Sequence, residues 1–391
     1  MKIVHWISKL NFSSGGPPRA VIDLSTKLVE AGHEVKIVTC EDPDAPEAWR
    51  SNEAHNPCTV PVGPPHMLGF RLSQKQRGAA ESAFEWADIV HAHGIWMPMT
   101  MTMCKLARRM QKPYVISLRG MLDDWCMEQR KPKKLVYLKL GGTKMLNSAN
   151  LIHSTAEGEL AQSKKWFPGS EGVVIPNLLN LEPFKSMPGT KLARDAFPMF
   201  GTGDPVLLYL SRLHYKKGVE HLINAIRLLR DEGNHHRLLI AGDGDSEYVQ
   251  SLKRLVEQHG LQEHVAFLGL VVGDLKISLF QAADIFVLPT SQENFGFVIY
   301  ESLAAGTPVV TTKGVDTWPE LESGAGAVIC DQDETELARS VSSLSARGSD
   351  LKVLGDQGRD WIFKEMSPDK ILAQFEDLYR RATHEAKAQP F

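Results

Sequence analysis

Cysteine is scarce in this 391-residue sequence. Cys40, Cys58, Cys104, Cys126 and Cys330 make an odd number, lie far apart and contain no C-x-x-C pair. That argues against a disulfide framework or a zinc site and predicts reduced core thiols in a cytosolic protein. Long apolar runs are missing as well. No stretch reaches the ~20 residues that span a bilayer, and the run Ile3–Ile7 is too short for the core of a signal peptide. Any membrane contact is therefore expected to be peripheral. Net charge is almost absent, with 44 Lys+Arg against 47 Asp+Glu, so no overall basic field draws nucleic acid. No internal repeat is evident. What remains is the balance of a soluble globular protein, 43% hydrophobic and 23% charged. At about 150 residues per domain, the length fits two large domains.

The chain alternates strand and helix signals. A buried strand, Ile3–Ile7, leads into the turn Ser13-Ser14-Gly15-Gly16-Pro17-Pro18, then a helix carrying Ala20, Val21, Leu24 and Leu28, then a strand at Val35–Thr39. This is one βαβ unit and implies a parallel sheet. Further strands are predicted at 89–92, 114–117, 151–154 and 173–175. Residues 182–204, rich in Pro, Gly and charge, read as a linker between a first domain at 1–181 and a second at 205–366. Beyond it, strands are expected at 206–210, 237–241, 265–268, 285–288 and 309–312. A last helix, 368–383, starts on Pro368 and shows one apolar stripe of Ile371, Leu372, Phe375, Leu378 and Tyr379. The fold class is α/β, with two doubly wound Rossmann-like sheets.

Chemistry concentrates in a few places. In the stretch 285–310 a buried strand ends at Pro289, and Gly296 then opens a helix. Open N–H groups and the dipole at such a helix start favour an anion, and glycine lets a phosphate approach. Glu293 precedes the helix, and Glu301 lies on it about 7.5 Å past Gly296. One carboxylate would then sit beside a phosphate and the other further along, where it could take a pair of vicinal hydroxyls. Arg212 and Lys217 follow the first strand of the second half, where α/β sheets bind ligands. A planar fork with a point charge suits a diphosphate. The Gly15-Gly16 turn is not the G-x-G-x-x-G fingerprint, which argues against a nicotinamide cofactor. His91 and His93 share one face of their strand, but no third metal ligand is near them in sequence. Asp243-Gly244-Asp245 and Asp331-Gln332-Asp333 match a metal-holding D-x-D pattern, and for the first a tight turn is the preferred reading.

Taken together, these residues resemble the retaining glycosyltransferases of family four, with the GT-B fold. The motifs are E-x7-E at Glu293 and Glu301 followed by AAGTPVV, Arg212 with Lys217 before Gly218, and AGDG at 241–244. Ile175-Pro176-Asn177 resembles the motif ending the first domain, with Leu178 where the family has glycine. The resemblance implies two domains facing a cleft, the last helix returning to the first, a nucleotide-sugar donor and no obligatory metal or other cofactor. It assigns the diphosphate to Arg212 and Lys217 and the ribose hydroxyls to Glu301. The transferred sugar goes to Glu293 with Asn294, Phe295, Gly296 and Phe297. Gly15 and Gly16 line the cleft, and His93, or else His91, contacts the donor sugar. The catalytic set is then Glu293, His93, Arg212 and Lys217, with the acceptor hydroxyl attacking the face the nucleotide leaves. A nucleotide-sugar epimerase and a non-catalytic binding protein are the competing classes.

The near-neutral total conceals an asymmetry. The window 105–144 holds eleven basic and three acidic residues, +8, which leaves −11 for the rest. Trp125, Met127, Leu135, Val136 and Leu138 are interleaved. Such a mixture suits docking on anionic lipid, and equally a solvated basic face. The segment Ser117–Leu122 resembles a motif of bacterial exopolysaccharide and lipopolysaccharide transferases. This implies a glycan or lipid-linked oligosaccharide acceptor in cell-surface polysaccharide biosynthesis, with Arg119 and Asn177 on the acceptor side.

Overall fold

The computed structural model describes residues 1–12, 15–51, 55–64 and 72–384. Ser13 and Ser14 of the glycine-rich turn lie outside the described residues. The chain divides into two compact units. The first comprises Met1–Leu179 and the chain from Pro368 onward, and the second Asn180–Ser367.

In the first unit, seven strands form one parallel sheet. They are β1 (Lys2–Ile7), β2 (Glu34–Thr39), β3 (Cys58–Pro61), β4 (Ile89–His93), β5 (Tyr114–Ser117), β6 (Leu151–Ser154) and β7 (Glu171–Val174), in the order β3-β2-β1-β4-β5-β6-β7. The second unit holds six, β8 (Val206–Leu210), β9 (Arg237–Ala241), β10 (Val265–Gly269), β11 (Ile285–Leu288), β12 (Val309–Thr312) and β13 (Ala327–Cys330), in the order β10-β9-β8-β11-β12-β13. Both orders reverse direction once, between β1 and β4 and between β8 and β11. Helices on both faces leave the central strands β4, β5, β6, β8, β11 and β12 buried at every residue. This is why apolar residues dominate most of them. Two α/β units of doubly wound parallel sheet are thus present.

The helix Pro368–His384 belongs to the first unit. Its stripe of Ile371, Leu372, Phe375, Leu378, Tyr379 and Ala382 packs into a core with Ile3, Leu24, Leu28, Ile37 and Ile89. The stretch 182–204, expected as a linker, is largely helical and clusters with the second unit. Its Gly189 N–H donates to Gln281 (2.8 Å), its Ala193 N–H to Ser278 Oγ (3.0 Å), and Ser278 donates in turn to Gly189 O (2.6 Å). Local composition signalled a loop, and tertiary hydrogen bonds from the helix Gly273–Ala282 order it. No helix among the described residues is long and apolar enough to cross a membrane.

Candidate active site

In open parallel sheets, ligands bind beyond the carboxyl ends of the strands where the order reverses. In the second unit that point lies between β8 and β11, and both predicted motifs are there. The segment after β8 forms a short turn, Tyr215–Lys217, closed by Gly218 at φ 68°. A Cβ on Gly218 would stand 2.1 Å from the Pro289 carbonyl oxygen, so only glycine lets this turn touch the loop after β11. Ser291 N–H donates to Lys216 O (2.7 Å) and Thr290 Oγ1 to the same oxygen (3.0 Å), fastening the two loops.

That fastening brings Lys217 onto Glu293, where Nζ donates to a carboxylate oxygen. The Lys217 side chain is 5% exposed and that of Glu293 28%. Burial alone would push the Glu293 carboxyl up. The Lys217 ammonium, its hydrogen bond, Lys216 and the Asn294 N–H outweigh it and hold the group below the usual carboxylate range. The loop itself is pinned by Glu293 N–H to Gly314 O and Asp316 N–H to Glu293 O, both 2.8 Å. Asn294 donates to Asp316 (3.2 Å). Phe295 is buried and stacks on Tyr300 at 4.4 Å, so it anchors the loop and is not offered to a ligand. Gly296, at φ 72°, caps the helix Phe297–Ala304 with no side chain in the capping position.

Glu301 lies on that helix, buried, paired with Lys276 at 2.9 Å. Lys276 escaped sequence reasoning because its partner is remote in the chain. Arg212 is exposed beside Tyr209, whose hydroxyl donates to the Arg212 carbonyl (3.1 Å). The AGDG turn meets this segment closely: a Cβ on Gly242 would lie 1.9 Å from Ser211 O. The acidic pairs serve as turns and caps. Asp245 caps the helix Ser246–Gln258 and Asp333 the helix Glu334–Ser345, while Asp331 pairs with Lys313. Leu270 and Val272, 74% and 67% exposed just past β10, are a further feature no motif signalled.

The first unit has its own constellation at the matching switch point. His91 and His93 do have a third neighbour: parallel pairing sets His5 of β1 opposite His91, and His5 Nδ1 lies 2.8 Å from His93 Nε2. The missing signal was the strand register. His153 of β6 joins through Ser117. The proton positions follow from the partners. His153 Nε2–H donates to the Ile175 carbonyl (2.7 Å), so its Nδ1 accepts from Ser117 (2.6 Å). Ser117 then accepts from His91 Nε2–H (2.7 Å), whose Nδ1 accepts from the Tyr379 hydroxyl (2.9 Å). Arg119 donates to His93 Nδ1 (3.2 Å), and His93 Nε2–H donates to His5.

All four rings are therefore neutral. Burial, with Arg119 beside them, lowers His5 and His153 to about 3 and puts His91 and His93 well below the usual range. Among the described residues no carboxylate or thiolate joins them, and the adjacent guanidinium disfavours a cation there. Arg119 also donates to Asn177 Oδ1. Gly15, at φ 100°, and Gly16 start the helix Gly16–Glu30 beyond β1 and are exposed.

Comparison with known proteins agrees with this geometry. Residues 14–183 match the family model described as Glycosyltransferase Family 4, and residues 195–361 that of Glycosyl transferases group 1. An uncharacterized glycosyltransferase of Methanocaldococcus jannaschii is 28% identical across 94% of this chain and 96% of its own. The alpha-monoglucosyldiacylglycerol synthase of Streptococcus pneumoniae is 33% identical, covering 75% of this chain and 67% of the relative. Among solved structures, Anabaena HepE in complex with UDP and glucose superposes with a TM-score of 0.77 at 18% identity, over 97% of this chain and 99% of that one. Two doubly wound parallel sheets, the paired motifs at the second switch point and these matches lead to one conclusion: the chain is a glycosyltransferase of the group 1, family four class with the GT-B fold.

Proposed function

We propose that this enzyme moves a sugar from a nucleotide-diphosphate donor to a hydroxyl of a glycan or lipid-linked acceptor. Transfer retains the anomeric configuration, needs no resident metal, and serves cell-surface polysaccharide biosynthesis. The observation that carries the reading is Lys217, a nearly buried ammonium held beside Glu293 where two strand-end loops meet at the sheet's switch point.

Breaking the sugar–phosphate bond places negative charge on the leaving diphosphate. Lys217 supplies fixed charge to that oxyanion, and exposed Arg212 adds a planar fork. The start of the helix Phe297–Ala304 adds its dipole, its glycine cap leaving room for phosphate. Glu293, with the backbone from Asn294 to Phe297, positions the sugar ring. Glu301, oriented by Lys276, takes the ribose hydroxyls. Leu270 and Val272 present an apolar edge to the base. His93 has both ring nitrogens bonded within its own unit, so its role is to orient Arg119. The acceptor hydroxyl attacks the face the nucleotide leaves, and the departing phosphate takes its proton.

On the acceptor side, the helix Lys131–Tyr137 buries none of its residues, and Leu135, Val136 and Leu140 are exposed among Lys131, Lys133 and Lys139. Apolar side chains ringed by lysine suit peripheral docking on an anionic membrane face. UDP-glucose occupies HepE, and the pneumococcal relative is named for a glycolipid, which fits a nucleotide sugar and a lipid acceptor here.

Lys217→Ala and Arg212→Ala are the test. Each is expected to lower turnover of the donor by at least about a hundredfold, as removal of one oxyanion partner does elsewhere, with circular dichroism unchanged. Near-normal transfer by either purified variant overturns the diphosphate assignment.

A further inference from the structure

Charges are buried in proteins when something of opposite sign is buried with them. Arg119 breaks that expectation. It is 8% exposed, yet among the described residues it has no carboxylate partner in an ion pair. Its two hydrogen-bond partners, Asn177 Oδ1 and His93 Nδ1, are neutral acceptors. A guanidinium carries five N–H donors, and these two bonds use two of them. Nε–H is buried and meets no acceptor. Glu159 acts on Arg119 only through space, because one of its oxygens accepts from Gly120 N–H and the other from Thr155 N–H and Oγ1.

The backbone carries a second sign. Leu118–Met121 is a tight turn with Met121 N–H donating to Leu118 O (3.3 Å), and both central residues have positive φ: 59° at Arg119 and 70° at Gly120. An L-residue is strained there, and such strain collects at ligand sites. Glu159 holds the turn by accepting from Gly120 N–H, and the four histidine rings, being neutral, offer Arg119 no negative charge.

We propose that Arg119 and Asn177 form an oxyanion site that takes a phosphate group belonging to the acceptor. The missing negative charge is brought by the ligand, and Nε–H with the unused Nη–H groups forms the bidentate fork that phosphate geometry matches. This rests on the transferase reading above and adds what the acceptor must carry near its reacting hydroxyl.

The test uses the full chain labelled with 15N-arginine, observing the Nε–H correlations. The Arg119 peak is identified by its absence in Arg119→Lys. Inorganic phosphate, added at constant ionic strength against chloride, is expected to move that peak saturably. Saturating UDP is expected neither to move it nor to block the phosphate effect. Asn177→Asp supplies the carboxylate the fold omits, and is expected to weaken the phosphate dissociation constant at least tenfold while the protein keeps its melting transition. A peak that ignores phosphate, or an Asn177→Asp variant with undiminished phosphate affinity, overturns the site. A phosphate shift that UDP abolishes overturns the acceptor assignment and gives Arg119 to the donor. Failure of the chain to bind any nucleoside diphosphate would instead overturn the transferase reading, leaving the phosphate result to stand by itself.

Discussion

The Lys217–Glu293 pair has a testable peculiarity: the ammonium proposed above for the diphosphate is bonded to a carboxylate. An arriving diphosphate must share Lys217 and tolerate Glu293 beside it. Glu293→Gln frees the lysine and removes one negative charge at nearly constant shape. Two unit charges about 4 Å apart interact by about 4 kcal/mol at an effective dielectric of 20. Glu293 is 28% exposed, so solvent screening reduces this to about 1–2 kcal/mol. The expected result, by calorimetry, is about tenfold tighter binding of UDP, or of whichever nucleoside diphosphate binds the wild type. Transfer should fall at least tenfold if Glu293 positions the sugar as proposed. A pH arm follows. The folded carboxyl lies below its ordinary value, so its stabilising contribution is complete above about pH 4.5 and is lost as pH falls through the folded pKa. Wild type and variant should differ by a constant amount above pH 5 and converge below it. Weaker or unchanged nucleotide affinity in Glu293→Gln would refute the sharing of Lys217.

Two further outcomes are expected. Gly218→Ala places a Cβ 2.1 Å from Pro289 O at φ 68°, whereas Gly233→Ala, at φ 81°, meets nothing within 4 Å. The first should cost about 3 kcal/mol or more in urea unfolding and the second about 1 kcal/mol; equal costs would mean the two loops are not in contact. The chain should sediment with vesicles containing anionic lipid at low salt, and Lys131→Glu combined with Lys133→Glu should halve the bound fraction or more. Wild type that stays in the supernatant removes the membrane reading.

Much of the architecture was legible because the central strands of parallel sheets, buried on both faces, are rich in apolar and β-branched residues. The two strands that escaped, Cys58–Pro61 and Ala327–Cys330, are sheet-edge strands, largely half-exposed. The E-x7-E loop was readable because strand, glycine and helix are consecutive. Lys276, Glu159 and His5 were not. Each acts on a residue 25 to 88 positions away, through pairings that only folding creates. Residues 182–204 looked like a tether because proline, glycine and charge are frequent in them, and remote hydrogen bonds override that signal.

The placement of the helix Pro368–His384 in the first unit has a consequence for synthesis. The first sheet is translated early, but Tyr379 and Phe375, which close its histidine layer, leave the ribosome only after the whole of Asn180–Ser367. The nascent first unit therefore waits with an unsealed apolar groove while the second, contiguous unit is free to fold. The usual order, with the amino-terminal domain completed first, is inverted, and a stalled or shortened chain would carry a finished second unit and an aggregation-prone first.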